Sequence, residues 1–428
     1  MRIGLDMTVI QTPHRMRGIG AVAIHFVKNI PQNLKKDMVF VIYLYKEGQE
    51  EALSILDLND VTYEIKDVKK EEKVKLNIPR RFAILESVLN NLRENLYSYI
   101  GDPRIDNDDD LDVFLQFDQM QSLPRLGGVK TGVILYDLIP YVMERDYLWG
   151  YKTSRKNGKS RKGSLRKAYL RHKYIAKAKR VAKSANMLFA ISKYTKDDFV
   201  KYAKIKSDKI DVIHLGIDEL TSPANNSEPS FKKYVENSWG SFPKSFDIKE
   251  KNFLLFLGGA DSRRRLVDLV VAYNHLKAQG HDIRLLLAGD IMTGPNAIPS
   301  AEVQDAIKNS SYCEDIVFLG FVTDEQKEWL YANAIAMVYP SVYEGFGLPV
   351  LEAMQQGTPV ITYKNTSIYE VAGDAAIYAS DGLSIKKAVE DILSNSKRKS
   401  EYISKGKKMA SKFPWKTTSK KILNNLLN

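Results

Sequence analysis

Residues Ala336–Asp374 read AMVYPSVYEGFGLPVLEAMQQGTPVITYKNTSIYEVAGD. Ala336–Tyr339 is an apolar run of strand length that stops at Pro340. A glycine-containing loop, VYEGFGLP, follows. The pattern VLEAMQQ then predicts a helix, Gly357 ends it, and PVITY predicts a second strand. Strand, helix, strand in this order is the repeating unit of a parallel sheet. Gly345 and Gly347 let backbone approach a ligand closely. Pro349 stands where a helix tolerates proline, at its start. Free N–H groups at a helix N-terminus suit phosphate. Glu344 in the loop and Glu352 in the helix add two carboxylates, each able to accept hydrogen bonds from a pair of hydroxyls. A ligand with hydroxyls at both ends and phosphate between them, such as a sugar nucleotide, fits that set.

The same pattern runs through the rest of the chain. Arg2–Val9, Met38–Tyr45, Asp112–Phe117, Lys130–Leu135, Met187–Ile191 and Lys209–Leu215 are strand candidates in the first half. Asn252–Leu257, Ile283–Ala288, Ile316–Leu319, Ala336–Tyr339 and Pro359–Thr362 are those of the second. Most are continuous apolar or β-rich runs rather than alternating ones, as expected of parallel strands buried on both faces. Helical patterns such as Leu266–Gln279 and Asp324–Ala334 fall between them. The turn-rich stretch TSPANNSEPS, with a short helical pattern at Phe231–Trp239, separates the halves. The expectation is an α/β protein with two doubly wound, Rossmann-like domains facing each other across a cleft. The domains are residues 1–217 and 251–412, with a linker or insertion at 218–250.

Length and composition agree. The chain has 428 residues, 44% hydrophobic and 27% charged, enough for two domains with large cores. One cysteine, Cys313, excludes an internal disulfide framework and a cysteine-cluster metal site. It points to a reducing, cytoplasmic location. MRIGLDMTVI lacks a secretory layout, and runs such as Val39–Tyr45 and Phe253–Leu257 fall far short of the roughly 20 residues that cross a bilayer. No G-x-x-x-x-G-K-[ST], no G-x-G-x-x-G after a strand and no H-E-x-x-H occurs. Asp108, Asp110 and Asp112 resemble metal-holding acidic pairs but precede a strand rather than ending one, and read as solvated loop acids.

The net charge of +12 is local. Tyr147–Lys196 holds 16 Lys/Arg and no Asp or Glu, leaving 48 basic against 52 acidic residues elsewhere. From Ser164, a suitable N-cap, Leu165, Tyr169, Ile175, Ala176 and Val181 recur at near-helical spacing and predict a basic amphipathic helix. Lys152–Lys183 is either a solvated helix face, a contact with an anionic membrane surface or lipid-linked acceptor, or a nucleic-acid site.

With these motifs in place, PSVYEGFGLPVLEAMQQGTPVITYKNTSIYEVAGDAA resembles the signature of the retaining glycosyltransferases of family 4, which have the GT-B fold. LGGADSRRR at Leu257–Arg265 resembles the family's Gly-Gly-x-Asp-x-Arg-Lys-Asn segment. FLGFVTDEQKEWLYANA resembles the stretch before the signature. Gly18-Ile19-Gly20 resembles the Gly-rich loop after the first strand. DLIP at Asp137–Pro140 and ISKYTKDD at Ile191–Asp198 resemble a subgroup that builds bacterial polysaccharides with mannosyl or rhamnosyl units. The resemblance is absent over roughly Glu64–Gly101 and Glu219–Lys251.

The resemblance implies roles residue by residue. Glu352 would hold the donor ribose. Glu344 would contact the donor sugar and stabilise charge near its anomeric centre. Backbone N–H groups of Phe346, Gly347 and Leu348 would meet sugar and phosphate. Arg263 and Arg264, after Gly259, would bind the leaving diphosphate, with Arg264 in place of the usual lysine. Gly18 and Gly20 would open a helix whose N-terminus faces the diphosphate. Val322 would meet the base through its backbone, although a bland loop role fits it nearly as well. Tyr136 replaces a histidine that contacts the donor's 6-hydroxyl in many members, beside Asp137. Either the donor is a 6-deoxyhexose or the substitution leaves the donor unchanged.

The implied activity is metal-independent, retaining transfer of a hexosyl or 6-deoxyhexosyl unit from a nucleotide diphosphate sugar to a glycan or lipid-linked acceptor, with no cofactor. Residues 413–428 would form a helix crossing back to the N-terminal domain. A catalytically silent subunit partnering an active transferase, a pyridoxal-phosphate-dependent phosphorylase or an epimerase on the same fold, and a nucleic-acid binder are the rival readings.

Overall fold

The computed structural model describes residues 1–12, 15, 18–56, 58, 60–69, 105, 109–124, 126–143, 161–218, 252–289 and 301–428. The chain forms two compact units. One comprises 1–138, 172–216 and 415–428, and the other 139–171 and 217–414. The expected linker lies outside the described residues beyond Asp218, and so do Asp108 and Lys152–Ser160 of the basic segment.

The first unit is built on seven described parallel strands: β1 (Arg2–Asp6), β2 (Val39–Tyr45), β3 (Thr62–Val68), β4 (Val113–Gln116), β5 (Lys130–Leu135), β6 (Met187–Ala190) and β7 (Ile210–Val212). Their spatial order is β3-β2-β1-β4-β5-β6-β7. The second unit has six described parallel strands: β8 (Phe253–Leu257), β9 (Arg284–Ala288), β10 (Ile316–Gly320), β11 (Ala336–Tyr339), β12 (Val360–Tyr363) and β13 (Ile377–Ala379). They lie in the order β10-β9-β8-β11-β12-β13. These are two doubly wound sheets, as the apolar runs predict. Phe253–Phe256 and Leu285–Ala288 are fully buried, which is why their sequence does not alternate.

Two strands escape that reading. β3 is an edge strand of sequence TYEIKDV, mostly exposed, and its Arg2–Glu64 and Lys66–Asp109 ion pairs lie at the sheet margin. β13, an edge of the second sheet, is three residues long. An edge strand needs no continuous apolar run, so hydrophobicity leaves these two unmarked, while the edges β7 and β10 keep β-rich or apolar runs of their own. Of the loop acids, Asp110 and Asp112 are exposed, and Asp112 accepts the Arg2 amide at 2.7 Å.

A helix spans Arg161–Ser184, starting three residues before the predicted cap. Ile175, Ala178, Val181 and Ala182 are buried along one stripe. The helix Trp415–Leu427 belongs to the first unit. Trp415 stacks on His25 with ring centroids 5.1 Å apart, Ser419 Oγ donates to the Phe26 carbonyl at 3.0 Å, and Ile422, Leu423 and Leu426 are buried. Among the described residues, no helix is long and apolar enough to cross a membrane.

In the second unit the strand order reverses between β8 and β11, which are neighbours. Ligands of open parallel sheets bind outside the carboxyl ends of the strands at such a reversal. The loops that follow β8 and β11 carry Gly259–Arg265 and Ser341–Gly347.

Candidate active site

The β8 loop ends in a tight turn, Ser262–Arg264, that leads into the helix Leu266–Ala278. The Val342 amide donates to the Arg263 carbonyl at 2.9 Å and ties this turn to the β11 loop. That link brings Arg263 and Arg264 onto Glu344, eighty residues further along the chain.

Glu344 is 8% exposed, and four side chains converge on its Oε1. Arg263 Nη1 lies at 2.5 Å, Tyr339 Oη at 2.8 Å, Ser341 Oγ at 3.0 Å and Arg264 Nε at 3.3 Å. The backbone of Glu344 is equally held. Ser367 Oγ donates to its carbonyl at 2.7 Å and Thr366 Oγ1 at 3.2 Å, while its amide donates to Thr366 Oγ1 at 3.3 Å. Burial pushes the Glu344 carboxyl up. The guanidinium groups of Arg263 and Arg264 and the hydrogen bonds outweigh burial and hold it below the ordinary glutamate value. It is a fixed carboxylate, able to stabilise positive charge beside it.

The two arginines differ. Arg263 is 5% exposed, and its Nη1 also donates to the Tyr343 carbonyl at 2.6 Å while its Nε pairs with Asp261 at 2.6 Å. Its guanidinium braces the loop. Arg264 is half-buried; its Nη1 donates to the Gly259 carbonyl at 3.2 Å, and its guanidinium carbon lies 5.5 Å from the Tyr339 ring centroid. Gly258 has φ of +152° and makes room for it, since a Cβ there would lie 2.3 Å from Arg264 Nη1.

The β11 loop closes on the helix Leu348–Gln355. Gly347 caps it at φ +115°, and Pro349 sits in its first turn. Pro349 has no N–H, and the Val350 and Leu351 amides donate to the Gly347 carbonyl at 3.0 and 3.4 Å, so the Leu348 amide is the donor this turn has left for an anion. Phe346 is buried edge-to-face on Phe413, with centroids 6.1 Å apart. Glu352 stands inside the helix in a separate network. Tyr331 Oη donates to its Oε2 at 3.0 Å, and Lys327 Nζ reaches its Oε1 at 3.3 Å. Val322 is half-buried two residues after β10, immediately before the Thr323–Gln326 capping box that starts the helix Asp324–Asn333.

Four of the sequence-named residues lie in the first unit. Gly18 is exposed and Gly20 buried, both in the first turn of the helix Gly18–Lys28. Tyr136 is 6% exposed. Its hydroxyl is buried with no hydrogen-bond partner among the described residues, and burial, with Asp118 nearby, pushes the phenol up. Its amide donates to Gln119 Oε1 at 2.8 Å, and its carbonyl accepts Thr195 Oγ1 at 2.6 Å. Asp137 is half-buried, and its carbonyl accepts Gln119 Nε2 at 2.7 Å.

Sequence reasoning missed Tyr339, Ser341, Asp261, Lys327, Tyr331, Gln119 and Thr195. Tyr339 and Ser341 flank Pro340 at the strand end and could have been flagged by proximity to Glu344. The others become partners only through folding. Among the described residues, no group of three or more His, Cys, Asp or Glu is placed to hold a metal ion.

The two doubly wound sheets place this protein in the GT-B class of fold. Solved structures of that class superpose over the chain. A glycosyltransferase from Rickettsia africae ESF-5 aligns with 99% of this chain and 97% of its own, at a TM-score of 0.58 and 15% identity. WaaG, a glycosyltransferase involved in lipopolysaccharide biosynthesis, aligns with 100% and 99%, also at 0.58 and 15%. At the level of sequence, residues 239–409 match the family described as glycosyl transferases group 1. The O-antigen chain mannosyltransferase B of Escherichia coli is 27% identical over 245 residues, which is 56% of this chain and 60% of that relative's length.

Proposed function

We propose that the protein is a retaining glycosyltransferase of family 4. It moves a hexosyl or 6-deoxyhexosyl unit from a nucleotide diphosphate sugar to a glycan or lipid-linked acceptor, without a metal ion or cofactor. One observation carries the reading: the buried carboxylate of Glu344, gripped by Arg263, Arg264, Tyr339 and Ser341 where the strand order of the second unit reverses. A fixed negative charge there favours an oxocarbenium-like state at the anomeric carbon. Arg264 and the helix N-terminus after Gly347, with its Leu348 amide, are suited to the diphosphate, whose charge grows as the glycosidic bond breaks. The leaving phosphate oxygen takes the proton of the acceptor hydroxyl on the same face. Glu352 accepts the ribose hydroxyls.

Mannose is the first donor sugar to test, because the Escherichia coli relative is a mannosyltransferase. A second reading rests on Tyr136, whose buried phenol replaces a titratable histidine and favours a 6-deoxyhexose. In this proposal the basic helix Arg161–Ser184 brings the enzyme to an anionic membrane surface carrying its acceptor.

The test is a thermal-shift panel of nucleoside diphosphates and their sugars, with transfer from labelled donor measured in parallel. At least one nucleoside diphosphate is expected to raise the midpoint of the wild type, and Glu352→Ala and Arg264→Ala to reduce that shift. If none stabilises the wild type, the donor-site reading fails.

A further inference from the structure

Glu352 does not hold its carboxylate by itself. The helix Asp324–Asn333 starts at a complete capping box, in which Gln326 N donates to Thr323 Oγ1 at 3.3 Å and Thr323 N to Gln326 Oε1 at 3.0 Å. From that fixed start, Lys327 and Tyr331 lie four residues apart, on one face of the helix. Both reach the helix Leu348–Gln355 and meet the same side chain by different oxygens. Lys327 Nζ lies 3.3 Å from Glu352 Oε1, and Tyr331 Oη donates to Oε2 at 3.0 Å.

Burial on the two sides is unequal. Tyr331 is 1% exposed, and its carbonyl accepts the hydroxyl of Thr358, so its ring has no freedom to move away. The Glu352 side chain keeps 26% exposure. The carboxylate is therefore held by a buried donor, Tyr331, on one oxygen and by Lys327, 27% exposed, on the other, and stays partly open. Lys327 Nζ is itself bridged to Asp324 at 3.0 Å. Burial works against its charge, and Glu352 and Asp324 more than compensate, so it stays an ammonium.

A carboxylate has about four lone-pair directions, two on each oxygen. One protein donor on each oxygen, Lys327 on Oε1 and Tyr331 on Oε2, leaves one lone pair on each. Two such lone pairs, side by side and locked in one plane, match the two hydroxyls of a cis-diol. A carboxylate without these two donors would turn about its terminal torsion, which is soft, and would spend entropy to accept the same pair.

We infer that Lys327 and Tyr331 are positioning residues that lock Glu352 as a two-pronged acceptor for the vicinal hydroxyls of the donor ribose, and so set discrimination between ribose and deoxyribose. This rests on the donor-site reading above and adds to it the residues that make the acceptor rigid.

The experiment uses the full chain and calorimetric titration with UDP, GDP and ADP and their 2′-deoxy counterparts. Wild type is expected to bind its best ribonucleotide about tenfold more tightly than the 2′-deoxy form, the size of a hydrogen bond to a charged group. Tyr331→Phe and Lys327→Met should cut that ratio to about threefold or less. They should do so by weakening the ribonucleotide and leaving the 2′-deoxy affinity nearly unchanged. Lys327→Arg keeps the charge and should retain most of the ratio. Thermal midpoints without ligand are measured beside each titration. Loss of both affinities in equal proportion, or a ratio that survives Tyr331→Phe and Lys327→Met, overturns the inference while leaving the donor site standing. A wild type that binds none of the diphosphates overturns both.

Discussion

Arg263 Nη1 lies 2.5 Å from Glu344 Oε1, with the two side chains only 6% and 10% exposed. This buried pair joins the loop after β8 to the loop after β11. Arg263→Met leaves the carboxylate buried with its strongest partner gone. Breaking a buried pair from one side costs about 3–5 kcal/mol. Urea unfolding of the variant is expected to show a loss of that order. A loss no greater than that of an exposed control such as Arg398→Met would mean that the pair does not brace the loops.

The same carboxylate sets a pH dependence. The folded-state pKa of Glu344 is depressed, because Arg263 and Arg264 outweigh burial. Its contribution to stability is therefore complete above the unfolded-state value, about 4.3. It drains away as pH falls through the lower folded-state value. Wild type should lose stability more steeply than Glu344→Gln below that point, with parallel curves at neutral pH. Denaturant titrations along a pH series from neutral to acid decide this.

Gly347 holds φ at +115°, and a Cβ there would lie 2.6 Å from Ile368 Cδ1. Gly347→Ala combines backbone strain with overpacking and is expected to destabilise by about 1–3 kcal/mol. It also displaces the first turn of the helix Leu348–Gln355. Nucleoside diphosphate affinity should fall along with the thermal midpoint. A variant that keeps both would remove this turn from the phosphate site.

On the proposed chemistry, Glu344→Gln removes the negative charge beside the reacting carbon and keeps the shape. The expected loss in kcat is about 10²–10³-fold with labelled donor. EDTA is expected to leave the wild-type rate unchanged. A rate that EDTA abolishes and magnesium or manganese restores would refute the metal-independent mechanism.

Replacing Lys173, Lys177, Lys179 and Arg180 by glutamine removes four charges from the helix Arg161–Ser184 and spares its buried stripe. Binding to vesicles with anionic lipid should weaken at each ionic strength, while the thermal shift given by nucleoside diphosphates stays as in wild type. Unchanged vesicle sedimentation would make these charges only a solvated face.

Much of this protein was legible in one dimension. Apolar runs without alternation, separated by helical patterns, marked eleven of the thirteen described strands, because burial on both faces leaves a local signature. Glu344, Arg263 and Arg264 stood out by their place after strand ends, and Glu352 by its place in the helix that follows Glu344. The rest depended on what folding brought together. The edge strands Thr62–Val68 and Ile377–Ala379 take their partners from the sheet and carry little apolar signal of their own. Arg263 and Arg264 read alike in sequence; only packing made one a brace and left the other half-buried. Tyr331 and Lys327 reach Glu352 from 21 and 25 residues away through the crossing of two helices. Chain-local periodicity is written into neighbouring residues. Which donor meets which carboxylate is settled by the order of the strands and the burial it imposes.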